Sequence, residues 1–176
     1  MKIVVLSDTH IPDRAQELPL KLLEEIKKAD MVIHAGDFVS LEILEKIKSL
    51  CSNVKAVWGN MDPQEIRDVL AQKEVFKAGN FKIGLFHGYG APNGIVELLS
   101  AEFKSDMPDI IVFGHSHSAM NETRGGVLFF NPGSPTDKIC ADCRTYGVIE
   151  INGRPEGPGL ASGSQSHKIK AVIVKI

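Results

Sequence analysis

Five apolar runs along this chain end in side chains that can ligate a metal or carry a proton. Residues 3–6 lead into Ser7-Asp8-Thr9-His10, and residues 31–33 into His34-Ala35-Gly36-Asp37. Residues 54–57 precede Trp58-Gly59-Asn60-Met61-Asp62, residues 83–86 precede His87-Gly88, and residues 110–113 precede Gly114-His115-Ser116-His117. Asp and Asn end many strands because they form turns, so one such end would mean little. Five in one chain, with four of its six histidines (His10, His87, His115, His117) gathered there, exceed what turns require. The donors are then Asp8, Asp37 and Asn60 through oxygen and the four imidazoles through nitrogen. Mixed oxygen and nitrogen donors suit Mn, Fe, Ni or Zn better than Ca or Mg, and without a thiol nothing selects copper(I) or an iron–sulfur cluster. Seven donors exceed what one catalytic ion with an open position uses. Two ions sharing one carboxylate would use them all, and two ions about 3.5–4 Å apart form the clamp that serves phosphoryl chemistry.

Such donors need rigid supports, and the carboxyl ends of strands are where α/β sheets place their chemistry. The β-branched run at 2–6 reads as a strand buried on both faces, followed by an amphipathic helix over 18–28, a strand at 31–33, a helix over 41–50 and a strand at 54–57. That alternation predicts a parallel sheet. The remainder is richer in strands: 73–77 and 81–86 joined by Ala78-Gly79-Asn80 as a hairpin, a helix over 94–103, then strands at 109–113, 120–123, 127–130, 146–151 and 168–176. Two sheets packed face to face with helices outside accommodate both halves in one domain. The stretch 153–166, GRPEGPGLASGSQS, reads as a flexible loop, with His167 solvated beside it.

The 176 residues, 43% hydrophobic, suffice for a real core, and a net charge of −2 offers no basic field for nucleic acid. The N-terminal apolar stretch is too short for a signal-peptide core or a membrane span, so a cytoplasmic protein without membrane partners is expected. Cys51, Cys140 and Cys143 are an odd number and suggest no disulfide framework; Cys140 and Cys143 form a lone C-x-x-C without the partner pair a structural zinc needs.

The ordered blocks Asp8-Thr9-His10, Gly36-Asp37, Gly59-Asn60-Met61-Asp62, His87 and Gly114-His115-Ser116-His117 resemble the signature of calcineurin-type metallophosphoesterases, D-x-H, G-D, G-N-H-[DE], an isolated His and G-H-x-H. Within that superfamily they are similar to the small bacterial and archaeal phosphodiesterases, as is the Asn131-Pro132-Gly133-Ser134 loop. The resemblance implies an α/β (α+β) fold, a four-layer β-sandwich flanked by α-helices. It implies two divalent ions, Mn foremost with Fe, Ni or Zn as alternatives. Asp8, His10 and His117 would hold the first ion, Asn60, His87 and His115 the second, and Asp37 would bridge them. The reaction implied is hydrolysis of a small phosphodiester, or a monoester, by a hydroxide activated between the ions, with Asn60 also steadying the phosphate. Small relatives often form homo-oligomers.

One position departs from the pattern. The histidine of G-N-H-[DE], which would protonate the leaving oxygen, is Met61, and a thioether has no proton to give. Substrates with acidic leaving groups, such as aryl phosphodiesters, are therefore expected, or else an acid from elsewhere, and Asp62 lacks its usual partner. His34 is expected to pack or hydrogen-bond beneath the site, and Trp58 to belong to the core. A scaffold role, as in the phosphoesterase-like subunit of retromer, is the competing reading and requires missing ligands; all seven are present here. A nucleotide or protein phosphatase is a further alternative, although the chain shows no capping domain or basic groove.

Overall fold

Alternation along each strand decides the architecture. The computed structural model describes residues 1–139, 141, 143–152 and 168–176; the loop expected at 153–166, His167 and Cys140 of the C-x-x-C lie outside the described residues. Strand β1 (Lys2–Leu6) runs parallel to β2 (Met31–His34), which runs parallel to β3 (Val54–Ala56). On its other side β1 pairs antiparallel with β9 (Thr145–Asn152), and β9 with β10 (Lys168–Lys175). The second sheet has the order β4 (Lys73–Ala78), β5 (Phe81–Phe86), β6 (Ile110–Val112), β8 (Val127–Asn131), β7 (Met120–Arg124). Here β5, β6 and β8 are mutually parallel, while the edge strands β4 and β7 return antiparallel through short turns.

Successive side chains on a strand point to opposite faces. Ile3, Val5 and Ile33 therefore enter the space between the sheets, against Ile83, Leu85, Ile110, Val112 and Phe130 of the facing sheet. Val4, Leu6 and Val32 face the other way, onto the helices α1 (Leu20–Lys27) and α2 (Leu41–Leu50), through Leu22, Ile26, Ile43, Leu44 and Ile47. Phe86, Ile111, Phe113 and Phe129 meet Ile95, Val96 and Leu99 of α4 (Ile95–Glu102) on the outer face of the second sheet. Each of these buried aliphatic or aromatic side chains contributes roughly 1.5–3 kcal/mol relative to exposure. Gly84 is required for this packing, because a Cβ there would lie 2.6 Å from Cε1 of Phe103.

The result is four layers, helix, sheet, sheet and helix, as the residue patterns predict. One element escapes those patterns: α3 (Gln64–Arg67), a single turn after Pro63, too short to show a helical period. No helix among the described residues is long and apolar enough to cross a membrane. The consequence for chemistry is topological: the loops after β1, β2, β3, β5, β6 and β8 converge on one edge of the sandwich.

Candidate metal centre

The backbone marks that edge before any side chain is considered. Among the described residues, seven that are not glycine have positive φ: Asp8 (52°), His10 (40°), Asp37 (59°), Val39 (75°), Met107 (48°), His115 (69°) and His117 (56°). Five are expected ligands, and Val39 lies two residues after one of them, Asp37. Left-handed conformations cost an L-residue roughly 1–2 kcal/mol, so they persist where the surroundings enforce them. Val39 is β-branched and least suited to it. Its N–H is held by Asp62 Oδ1 at 2.8 Å, while Asp62 Oδ2 accepts from Asp37 N at 2.9 Å and Gly59 N at 2.8 Å. Asp62, left without a role by the loss of its histidine partner, is thus the clamp that holds the Asp37 turn against the Asn60 turn. Gly36 makes the approach possible: with φ of 94°, a Cβ on it would lie 2.8 Å from both Gly59 N and His87 Nδ1.

The side chains of all seven expected donors meet inside these turns. On one side His10 Nε2 and His117 Nε2 lie 3.2 Å apart, and Asp8 Oδ1 is 3.4 Å from His117 Nε2 and 4.0 Å from His10 Nε2. On the other side Asn60 Oδ1 is 3.1 Å from His87 Nε2 and 2.9 Å from His115 Nδ1. Asp37 Oδ2 stands between, 3.5 Å from His10 Nε2 and 3.4 Å from His87 Nε2. Asp8, His10, Asp37 and His87 are buried, His115 and His117 half-buried, and Asn60 and Met61 exposed, so the site has a buried floor and an open mouth.

Three of the imidazoles are oriented by their far nitrogens. His87 Nδ1–H donates to the Ala35 carbonyl at 2.6 Å, His115 Nε2–H to the Gly90 carbonyl at 2.8 Å, and His117 Nδ1–H to the Asp137 carboxylate. With the outer nitrogen carrying its proton, a neutral ring turns a lone pair into the cluster. Lone pairs of nitrogen and oxygen packed at such distances repel unless a proton or cation lies among them, and outer-face acceptors of this kind are what orient metal-binding imidazoles. The donors divide into two groups that fit a cation, Asp8 with His10 and His117, and Asp8 with Asp37 and His87.

With only the protein's own charges present, a proton takes that place. Burial pushes the His87 imidazolium down, but the hydrogen bond to Asp37, the charges of Asp8 and Asp37 and the Ala35 carbonyl together raise its pKa to about 9. Asp37 is pushed up by burial, yet His87, the Met61 N–H and His10 bring it below the usual carboxylate range. Burial lowers His10 against the opposing pull of Asp37 and Asp8. A group whose pKa is raised on folding stabilises the fold fully below its unfolded value of 6.5 and ceases to as pH rises through about 9. The melting temperature of metal-stripped protein should therefore carry a falling component between those limits. His87→Gln should remove that component, measured by thermal denaturation across pH 6 to 10 with and without the substitution.

The arrangement matches known proteins. The family model of the calcineurin-like phosphoesterase superfamily domain matches residues 1–154. The chain belongs to this superfamily. It is 39% identical over 141 residues to a probable metallophosphoesterase of Methanocaldococcus jannaschii, covering 80% of this chain and 71% of that one. It is 28% identical over 146 residues to a phosphodiesterase of the same organism, covering 76% of this chain and 83% of the relative. The crystal structure of Entamoeba histolytica Vps29 complexed with zinc superposes with a TM-score of 0.75 at 27% identity, covering 99% of both chains. Membership makes the protein a metallophosphoesterase of the small type and accounts for the order of its Asp, Asn and His blocks.

The supporting contacts around the site leave no mark in the sequence, even where the residues themselves stood out. Ser134 Oγ donates to the Asp8 carbonyl at 2.7 Å and Thr136 Oγ1 to the Thr9 carbonyl at 2.7 Å, so the loop after β8 supports the end of β1. Asn131 Nδ2 donates to the Gly114 carbonyl at 2.9 Å and to Ser116 Oγ at 3.0 Å, which ties the turn between His115 and His117 to the end of β8. His34 is fully buried and stacks on Phe38; its Nδ1 accepts from Gly36 N at 3.2 Å and its Nε2–H points to Thr9 Oγ1 at 3.2 Å. Burial holds its imidazolium well below the ordinary range, consistent with that neutral tautomer. Trp58 packs partly buried against the helix-side core, under the guanidinium of Arg67, whose Nε and Nη2 donate to the carbonyls of Asp62 and Asn60 at 2.8 and 3.0 Å.

Proposed function

We propose that this protein is a phosphodiesterase working through two divalent ions. The observation that supports this most is Asp37 Oδ2 standing between two sets of converging lone pairs, with the outer nitrogens of three of the four imidazoles already committed. Asp8, His10 and His117 would hold one ion, Asn60, His87 and His115 the other, and Asp37 both. Mixed oxygen and nitrogen donors suit Mn, Fe, Ni or Zn, and the resemblance to the superfamily puts Mn foremost among them. Two such ions supply the positive charge that acidifies a water and stabilises a phosphoryl group in in-line displacement.

The chain's own residues do the rest. The strained turns fix the carboxylates and imidazoles before substrate arrives, so no reorganisation is needed at the moment of reaction. Asn60 Oδ1 faces His87 and His115, which leaves its amide N–H₂ directed away from the cluster at the exposed mouth, where it can donate to a phosphoryl oxygen. The buried floor excludes water from the carboxylates and strengthens every electrostatic interaction there. The open mouth favours a small phosphodiester.

The test is an assay of bis-aryl and mono-aryl phosphates with metal-stripped protein to which Mn²⁺ is returned. Diester hydrolysis that follows added metal is expected. Absence of turnover with Mn, Fe, Ni and Zn alike, together with partner binding indifferent to Asp37→Ala, would instead make the protein a scaffold.

A further inference from the structure

Asp137 is a fully buried carboxylate contributed by no element of regular structure, and the reaction as outlined does not use it. It lies at the end of the run Asn131-Pro132-Gly133-Ser134-Pro135-Thr136-Asp137. Its backbone N–H donates to Ser134 Oγ at 2.9 Å, its Oδ1 accepts the Ile139 N–H at 2.7 Å, and its Oδ2 accepts from His117 Nδ1. The same Ser134 hydroxyl donates to the carbonyl of Asp8. One seven-residue loop thus fixes both Asp8 and His117, two of the three side chains that face each other in the first donor group.

We infer that Asp137 is a positioning residue that fixes the tautomer of His117 and thereby sets the affinity of the first ion site. The inference rests on the two-ion reading for its affinity consequence, but its tautomer consequence holds in the protein chain alone. An acceptor at Nδ1 keeps the ring proton there and leaves Nε2 as a lone pair, 3.4 Å from Asp8 Oδ1 and 3.2 Å from His10 Nε2. A buried carboxylate on the outer nitrogen also raises the basicity of the inner one.

The chemistry of Asp137→Asn makes this sharp. Its one carbonyl oxygen must keep accepting the Ile139 N–H, because an amide N–H₂ there would meet donor with donor. The N–H₂ then faces His117 Nδ1, which must become the acceptor, and the ring proton moves to Nε2, the atom that faces the ion. The substitution conserves volume and inverts the tautomer.

The experiment has two arms. Ring ¹⁵N chemical shifts of metal-stripped protein, read by long-range proton–nitrogen correlation, should report the Nδ1–H tautomer for His117 in the native chain and Nε2–H in Asp137→Asn. Calorimetric titration with Mn²⁺ should show the first-site affinity reduced about 10- to 100-fold in the variant, with the second site unchanged. Unchanged shifts and unchanged affinity would overturn the inference, and so would a fall in melting temperature with neither moved, since that is the mark of a purely structural carboxylate. If the native chain binds no divalent ion, the two-ion reading fails while the nitrogen shifts still decide the tautomer. Asp137→Ala separates the effects further: it removes the acceptor without supplying a donor, so it should give mixed tautomers.

Discussion

Asp37→Asn should reduce phosphodiester turnover at least ~10³-fold while leaving the fold in place. Asn is among the few residues that tolerate a left-handed backbone, so the φ of 59° at this position is retained. Its carbonyl oxygen can still accept the Met61 N–H, which meets Asp37 Oδ1 at 2.8 Å, and Asp62 still holds the residue's own N–H. What is lost is the negative charge at Oδ2, an oxygen within 3.5 Å of both His10 Nε2 and His87 Nε2. Shared charge stabilisation in a two-ion site amounts to several kcal/mol, and about 4 kcal/mol corresponds to a ~10³-fold rate loss. Metal analysis should show the bound equivalents falling from two toward one, and the melting temperature of stripped protein should change little above about pH 9, where His87 no longer holds the proton that Asp37 stabilises. The two measurements discriminate: lost turnover with two equivalents still bound would move the bridging role elsewhere.

The residues that such an experiment addresses were legible in the sequence for a physical reason. A rigid ligand set needs rigid supports, and strand ends provide them, so each donor block directly follows an apolar run that periodicity detects. Asp8, Asp37 and His87 could be read off because hydrophobic pattern and chemistry adjoin. The sandwich was legible for the same reason: an unbroken apolar run at Ile3, Val4, Val5 and Leu6 demands a cover on both faces of the strand, Ile3 and Val5 entering one core and Val4 and Leu6 the other. Asp137 was not legible, because an acidic residue following Gly133-Ser134-Pro135 has ordinary turn-forming grounds to be there, and its pairing with His117 spans twenty positions with no periodic link. Asp62 was legible as a motif position but not as a clamp, since its partners are backbone N–H groups, which every residue possesses. The four-residue α3 fell below the length at which a helical period exists, although it delivers Arg67 to the carbonyls of Asn60 and Asp62.

The second large effect is expected at Met61, where the chain departs from its superfamily's usual pattern. Met61 is 54% exposed at the mouth while its N–H is tied to the Asp37 carboxylate, so under the proposed mechanism this position adjoins the departing group. Without a proton donor there, the leaving oxygen departs as an anion, and rates should fall steeply as its conjugate acid weakens. A positioned general acid is worth about 10² to 10⁴ in rate for poor leaving groups and little for good ones. Met61→His should therefore raise kcat/KM for alkyl phosphodiesters about 10²-fold while leaving nitrophenyl diesters nearly unchanged. The gain belongs at the low end of that range, because Asp62, the carboxylate beside it in the motif, is engaged by the N–H groups of Asp37, Val39 and Gly59 and cannot orient the new ring. A series of diesters graded by leaving-group acidity reads this as a flatter slope in the variant. Parallel slopes for the two proteins would mean that another group already donates the proton. The exposed Tyr89, beside the Gly90 carbonyl that orients His115, would then be the next residue to replace.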